Sequence, residues 1–119
     1  MCDNVSYCGR NINHNELYFR ITNFHSIEQN IIDFKKSLFL DGPCYFAFHV
    51  YGDFLNFWYH DNIGQVYRRN SINIKGSHAV LLIGYDDNKQ AFLCKNSWGG
   101  NNGPNRDGTF WISYNNIYD

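Results

Sequence analysis

Two apolar runs joined by a four-residue polar turn constrain this chain more than any other feature. Ala79 to Tyr85 reads AVLLIGY and Gln90 to Lys95 reads QAFLCK, with Asp86-Asp87-Asn88-Lys89 between them. Short runs rich in Val, Ile, Leu and Phe, bounded by turn residues, are strands rather than helices. A turn this brief leaves them antiparallel neighbours, so the pattern predicts a hairpin. It also predicts what meets at the hairpin's open end. Gly76-Ser77-His78 leads into the first strand, and Asn96-Ser97-Trp98 follows the second.

The other elements follow from local periodicity. Tyr18 to Phe24 alternates as a strand, with Phe19 and Ile21 on one face. Ser26-Ile27-Glu28-Gln29 has the form of a capping box, and Ile27, Ile31, Phe34 and Leu38 then recur at helical spacing. A helix over 27–40 is predicted, ended by Gly42-Pro43. Cys44 to Val50 alternates Cys44, Phe46, Phe48 and Val50 against Tyr45, Ala47 and His49. Both faces are apolar, which predicts a central strand. Residues 51–64 read as a turn and irregular connection anchored by Phe54, Phe57 and Trp58. Gly99 to Gly108 is a loop rich in Gly and Asn, and Thr109 to Tyr114 is a closing strand. One main helix followed by antiparallel strands is an α+β arrangement whose sheet can curl into a barrel. Residues 1–17 show no period and form an irregular N-terminal segment ahead of a single unit over 18–119.

Composition narrows the function classes. At 119 residues the chain is one domain or part of one. Lys and Arg total 10 against 11 Asp and Glu, interspersed, for a net charge of −1. That balance carries no footprint for nucleic acid or an anionic membrane surface. No apolar run approaches the ~20 residues of a membrane span, and Met1-Cys2-Asp3-Asn4 lacks the basic and apolar regions of a signal peptide. Asn4-Val5-Ser6 is a glycosylation sequon, so the compartment stays open. The four cysteines, Cys2, Cys8, Cys44 and Cys94, are irregularly spaced without a CxxC, and no metal or organic cofactor is expected.

His78 and Asn96 are the residues that carry chemistry. An ordinary strand-end His is a surface or packed residue, and Asn-Ser is ordinarily a turn. Paired across the hairpin, however, the Asn amide can accept from one imidazole nitrogen, fix the tautomer and aim the other nitrogen outward. Trp98, two residues on, can shield that bond from water and strengthen it.

The stretch GSHAVLLIGYDDNKQAFLCKNSWGG resembles the C-terminal catalytic region of papain-like cysteine peptidases, which carry His-Ala-Val and then Lys-Asn-Ser-Trp-Gly. The likeness extends upstream through Phe34-Lys35-Lys36-Ser37-Leu38, Asp41-Gly42-Pro43, Tyr51-Gly52-Asp53-Phe54 and Gly64-Gln65-Val66-Tyr67. Downstream it includes Asp107-Gly108-Thr109-Phe110-Trp111, so it covers roughly 18–119. It implies the right-hand, barrel-containing lobe of such a peptidase. His78 is then the catalytic base, Asn96 its orienting amide and Trp98 their cover, with Ser77 and Ala79 at the substrate-pocket rim. The implied reaction is peptide-bond hydrolysis through a thiolate–imidazolium pair and an acyl-enzyme. The implied partners are a peptide or protein substrate and a left-hand lobe from the same precursor or a second chain, or failing that a second copy.

The departures matter as much. The family's nucleophile lies in a C-G-[SA]-C-[WY] motif about 130–150 residues before the His, but only 77 residues precede His78, and neither that motif nor the oxyanion glutamine region is present. Cys94 is expected to point inward, Cys44 to pack, and Cys8-Gly9 matches the motif in two letters only. Hence no nucleophile is assigned in this chain, and the isolated chain is expected to be inactive. Ser77 stands where several members carry Asp or Asn, Thr109 replaces an aromatic, and the Gly99–Gly108 loop lacks a second Trp-Gly. The rival reading is a catalytically inactive truncated pseudoenzyme or binding module.

Overall fold

The structure, a computed structural model, describes residues 23–119. Helix α1 spans Ile31–Leu40, so it begins at residue 31 rather than at 27. The competition between two caps explains the shift. Asn30 is extended, its side-chain oxygen accepts from the Asp33 backbone N–H at 2.8 Å, and its amide donates to the Asp33 carboxylate at 2.7 Å. Asn at an N-cap is as good as Ser. Gln29, meanwhile, donates to the Ile117 carbonyl instead of reaching back to Ser26. The expected stripe still reaches the core: Phe34 is part of it, and Ile27, Ile31 and Leu38 pack against it. The helix ends as expected. Asp41 and Gly42 both donate to the Ser37 carbonyl, and Gly42 sits at φ +92°, where a side chain is disfavoured.

Strand β1, Cys44–Tyr51, buries Cys44, Phe46, Phe48 and Val50 and exposes Tyr45, Ala47 and His49. It is an edge strand, not the central one expected. Its outward apolar residues suggested cover on both faces, but Tyr45 is 70% exposed. Helix α2, Gly52–Tyr59, replaces the irregular connection expected there. Its first residues read as a turn, and no side chain caps it. What holds it is the i, i+3, i+4 set Phe54, Phe57 and Trp58, the three anchors, laid on the sheet.

Strand β2, Val66–Tyr67, is short. Strand β3 runs from Ile74 to Asp86, longer than the expected 79–85. Its first part pairs with β1, setting Phe48 against His78 and Ala47 against Ala79. Its last part pairs with β4, Ala91–Lys95, after a register shift between Leu82 and Gly84. Strand β5, Thr109–Ser113, continues the antiparallel ladder and pairs in parallel with β2, and a 3₁₀ turn over Tyr114–Tyr118 follows. The sheet order is β1-β3-β4-β5-β2. Of the strand expected over 18–24, residues 18–22 lie outside the described residues, and Asn23 and Phe24 are not in a strand. The expected irregular segment 1–17, with Cys2 and Cys8, also lies outside them.

The aromatic residues make the core. Phe54 meets Tyr67, Phe110 and Phe48 edge-on, with ring centroids 5.0, 5.1 and 5.3 Å away. Such contacts favour a defined packing over a merely apolar interior. The core lies directly behind the open end of the β3–β4 hairpin.

Candidate active site

Strand alternation brings the two predicted residues to one face. His78, Val80 and Leu82 share the inward side of β3, and Cys94 and Asn96 share the inward side of β4 and its extension. Leu82 pairs with Cys94, so the next inward residue past the end of β4 arrives beside His78. The His78 Nε2 and Asn96 Oδ1 atoms are 2.7 Å apart.

The proton's position follows from a second bond. Asn96 Oδ1 also accepts from the Ser97 backbone N–H at 2.8 Å. A flipped amide would press its own N–H groups against that donor, so the oxygen must face it. An oxygen acceptor requires Nε2 to carry the proton, which leaves Nδ1 of neutral His78 with its lone pair. Asn96 is 6% exposed, and its Nδ2 is buried without a hydrogen-bond partner among the described residues. Trp98 stacks on the imidazole at 4.6 Å and 28° between planes, and Phe48 meets it edge-on at 6.2 Å. The bond therefore lies between aromatic walls.

Ser77 and Ala79 flank His78 in sequence but project to the opposite, outward face of β3. Ser77 Oγ shares a hydrogen bond of 3.2 Å with His49 Nδ1 on β1. His49 was not singled out in the sequence; its outward position in the alternating β1 pattern was the available signal. Beside this face a shallow pocket of about 330 Å³ is bounded by Tyr45, Ala79, Leu81, Lys95 and Ser97.

Chemically, an imidazole with a fixed Nε2–H and a free Nδ1 can take a proton from a nucleophile and return it to a leaving group. Neither described thiol can be that nucleophile. Cys44 and Cys94 are buried and free. Burial pushes the Cys94 thiol well up, with Cys44 nearby adding to the effect, and burial likewise raises Cys44. An activated cysteine needs the reverse. Among the described residues no three His, Cys, Asp or Glu side chains converge as metal ligands, and no helix is long and apolar enough to cross a membrane.

A His and an Asn joined under a Trp, on strands of an α+β unit, match a known family along most of their length. The sequence profile described as papain family cysteine protease matches residues 3–118. The chain belongs to this family. Among its papain-family relatives, cathepsin B-like CP3 of Giardia intestinalis is 39% identical over 80 residues, 65% of this chain and 24% of that protein. Cathepsin B-like cysteine proteinase 6 of Caenorhabditis elegans is 36% identical over 90 residues, 74% of this chain and 22% of that protein. The papain-family chain thus spans about a quarter of the length of these curated relatives, 24% and 22%. Among solved structures, xylellain, a cysteine protease from Xylella fastidiosa, superposes with a TM-score of 0.65 at 34% identity, covering 85% of this chain and 37% of that one.

Proposed function

We propose that this chain supplies the base-and-orienter half of a papain-type peptidase active site, the nucleophilic cysteine coming from a left-hand lobe of the same precursor or of a second chain. The observation that carries the reading is the hydrogen bond from His78 Nε2–H to an Asn96 oxygen whose orientation Ser97 dictates. His78 Nδ1 takes the proton of the incoming thiol, giving a thiolate–imidazolium pair. The thiolate adds to the peptide carbonyl carbon. Collapse expels the amine, which receives the proton from Nδ1, and leaves a thioester. Water, deprotonated by the same Nδ1, then releases the acid and restores the thiol. Trp98 keeps water from the His–Asn bond through these steps, and Ser77 and Ala79 border the substrate channel.

The outer face of β1 and β3, exposed among the described residues, supports docking of a further lobe. Tyr45 and Leu81, partners across β1 and β3, are both exposed there, towards the hairpin end that carries His78. Paired apolar side chains left exposed on a sheet face favour contact with a further surface. A second reading, an inactive binding module, is favoured by one observation: both described thiols are buried and unactivated.

The test uses the purified 119-residue chain under reducing conditions with a fluorogenic peptide, and separately with a thiol-directed epoxide. No turnover and no stoichiometric labelling are expected. A left-hand lobe of a cathepsin B-like relative is then added in trans. Restored hydrolysis that His78→Ala removes, by about 10²-fold or more, and Asn96→Ala weakens less, supports the peptidase reading. Docking without restored hydrolysis supports the binding module. Turnover by the chain alone that depends on His78, or His78-dependent labelling of Cys2 or Cys8, overturns the assignment of the nucleophile to another lobe.

A further inference from the structure

We propose that Trp58, on α2 and remote in sequence from His78 and Asn96, is a positioning residue that seats Trp98 over the imidazole. The proposal rests on the role assigned to His78 above. Trp98 lies beyond the end of β4, at the start of the Gly99–Gly108 loop. A side-chain hydrogen bond reaches its backbone, from Asn102 Nδ2 to the Trp98 carbonyl at 2.8 Å. One side of its ring faces His78. Trp58 also packs against this ring, edge-on at 5.4 Å and 88°, with Phe54 at 6.0 Å and 61°.

Trp58 is itself fixed. It is 2% exposed and meets Phe110 edge-on at 5.9 Å. Its outer edge fills the space where a side chain on Gly103 would begin: a Cβ there would lie 2.6, 2.7 and 3.0 Å from three ring carbons. Gly103 also holds φ +85°, which disfavours any other residue. The loop is therefore built around the indole, and the packing runs in sequence through Gly103, Trp58, Trp98, His78 and Asn96. Close-packed interiors transmit such displacements. With the Trp58 indole gone, half-buried Trp98 gains by turning into the vacated space, and its face leaves the imidazole. The His78–Asn96 bond is then open to water and His78 loses its fixed orientation. A tryptophan that served stability alone would have no such effect on His78.

The readout is the NMR spectrum of the full 119-residue chain. In the unmodified chain the His78 ring protons are shifted upfield by the ring current of stacked Trp98 and show contacts to it. Trp58→Ala should abolish both signals, and Trp58→Phe, which leaves an aromatic edge in the slot, should retain part of them. Gly103→Ala should reproduce the loss from the opposite direction by displacing the indole. Ile117→Val, a buried change outside the aromatic stack, should lower stability and leave His78 unmoved. If Trp58→Ala does not fold, Trp58→Phe and Gly103→Ala carry the test. In the lobe-complemented enzyme, the same variants should lower kcat by about 10-fold to 100-fold with KM little changed. A folded Trp58→Phe or Gly103→Ala chain whose His78 resonances are unaltered overturns the proposal. Activity that survives His78→Ala would sink the catalytic reading and leave the spectroscopic result standing.

Discussion

Replacing Asn96 with Ala should leave the stability of the fold nearly unchanged while releasing His78. Two hydrogen bonds are lost, from His78 Nε2–H and from the Ser97 N–H, each worth about 1 kcal/mol net. Against this, Asn96 Nδ2 is buried with no partner among the described residues, a state that costs roughly 1–3 kcal/mol. Alanine removes that cost with the amide. The two freed donors are not stranded, because Ser97 is exposed and His78 only half-buried, so water can reach both. The opposing contributions are of equal size, and the net change should stay within about 1 kcal/mol. Urea unfolding of the 119-residue chain, followed by circular dichroism, measures it, with an unchanged m-value confirming a common unfolded state. Nitrogen-15 spectra of the His78 ring complete the test: Nε2–H alone in the unmodified chain, a mixture of tautomers in the variant. A destabilisation above about 3 kcal/mol would mean that the amide nitrogen is paid no penalty for its burial, and the reasoning fails. A variant ring still held as Nε2–H would deny Asn96 its orienting role.

Three further outcomes are expected. Phe54→Ala, at the centre of the aromatic core with no exposed surface, should cost about 3–5 kcal/mol in the same urea assay; a loss under about 1 kcal/mol would refute its central place. In a Cys2→Ser, Cys8→Ser chain at pH 8, Cys44 and Cys94 should resist a thiol reagent until the chain unfolds, because burial raises both thiols; prompt native-state reaction would contradict their placement. Lys35, bonded to both Asp87 oxygens, and then the Tyr114 hydroxyl hold the Asp87 carboxyl below its ordinary range. A depressed carboxyl stabilises the fold above the unfolded value, near pH 4, and that contribution fades as pH falls through the folded value. Lys35→Met should therefore flatten the acid limb of a stability–pH curve, and an unaltered limb would show that the pair contributes nothing.

Several parts of the fold were legible in the linear chain because their causes are local. The alternation of Cys44 to Val50, the stripe of Ile27, Ile31, Phe34 and Leu38, and the short turn at Asp86 to Lys89 each lie within one stretch. A four-residue turn makes neighbours of the two strands, so the arrival of His78 and Asn96 at one end of the hairpin could be read from the sequence, but their sharing of one face could not, because it needs the register shift between Leu82 and Gly84. Elements that depend on distant partners could not be. The start of α1 moved to Asn30 because Gln29 bonds to Ile117, a residue 88 positions away. Helix α2 has no side-chain cap, and only the sheet beneath Phe54 and Trp58 makes it a helix. The outward residues of β1 are apolar enough for an interior strand, and only the sheet order makes β1 an edge.

The same division runs through the site. The chain alone determined that an imidazole and an amide would share the end of one hairpin, since a four-residue turn makes its two strands neighbours; the register shift between Leu82 and Gly84, which turns both side chains to one face, belongs to the tertiary structure. The tertiary structure decided which amide atom faces the ring, because that depends on where the Ser97 N–H points once β4 has ended. It also decided what packs against Trp98. Trp58 and Gly103 lie 45 positions apart in the numbering, and only the folding of α2 against the Gly99–Gly108 loop brings an indole to the place a glycine leaves open. Short-range order is set by bond geometry and side-chain period, whereas contacts between separated segments are settled by how the whole core packs.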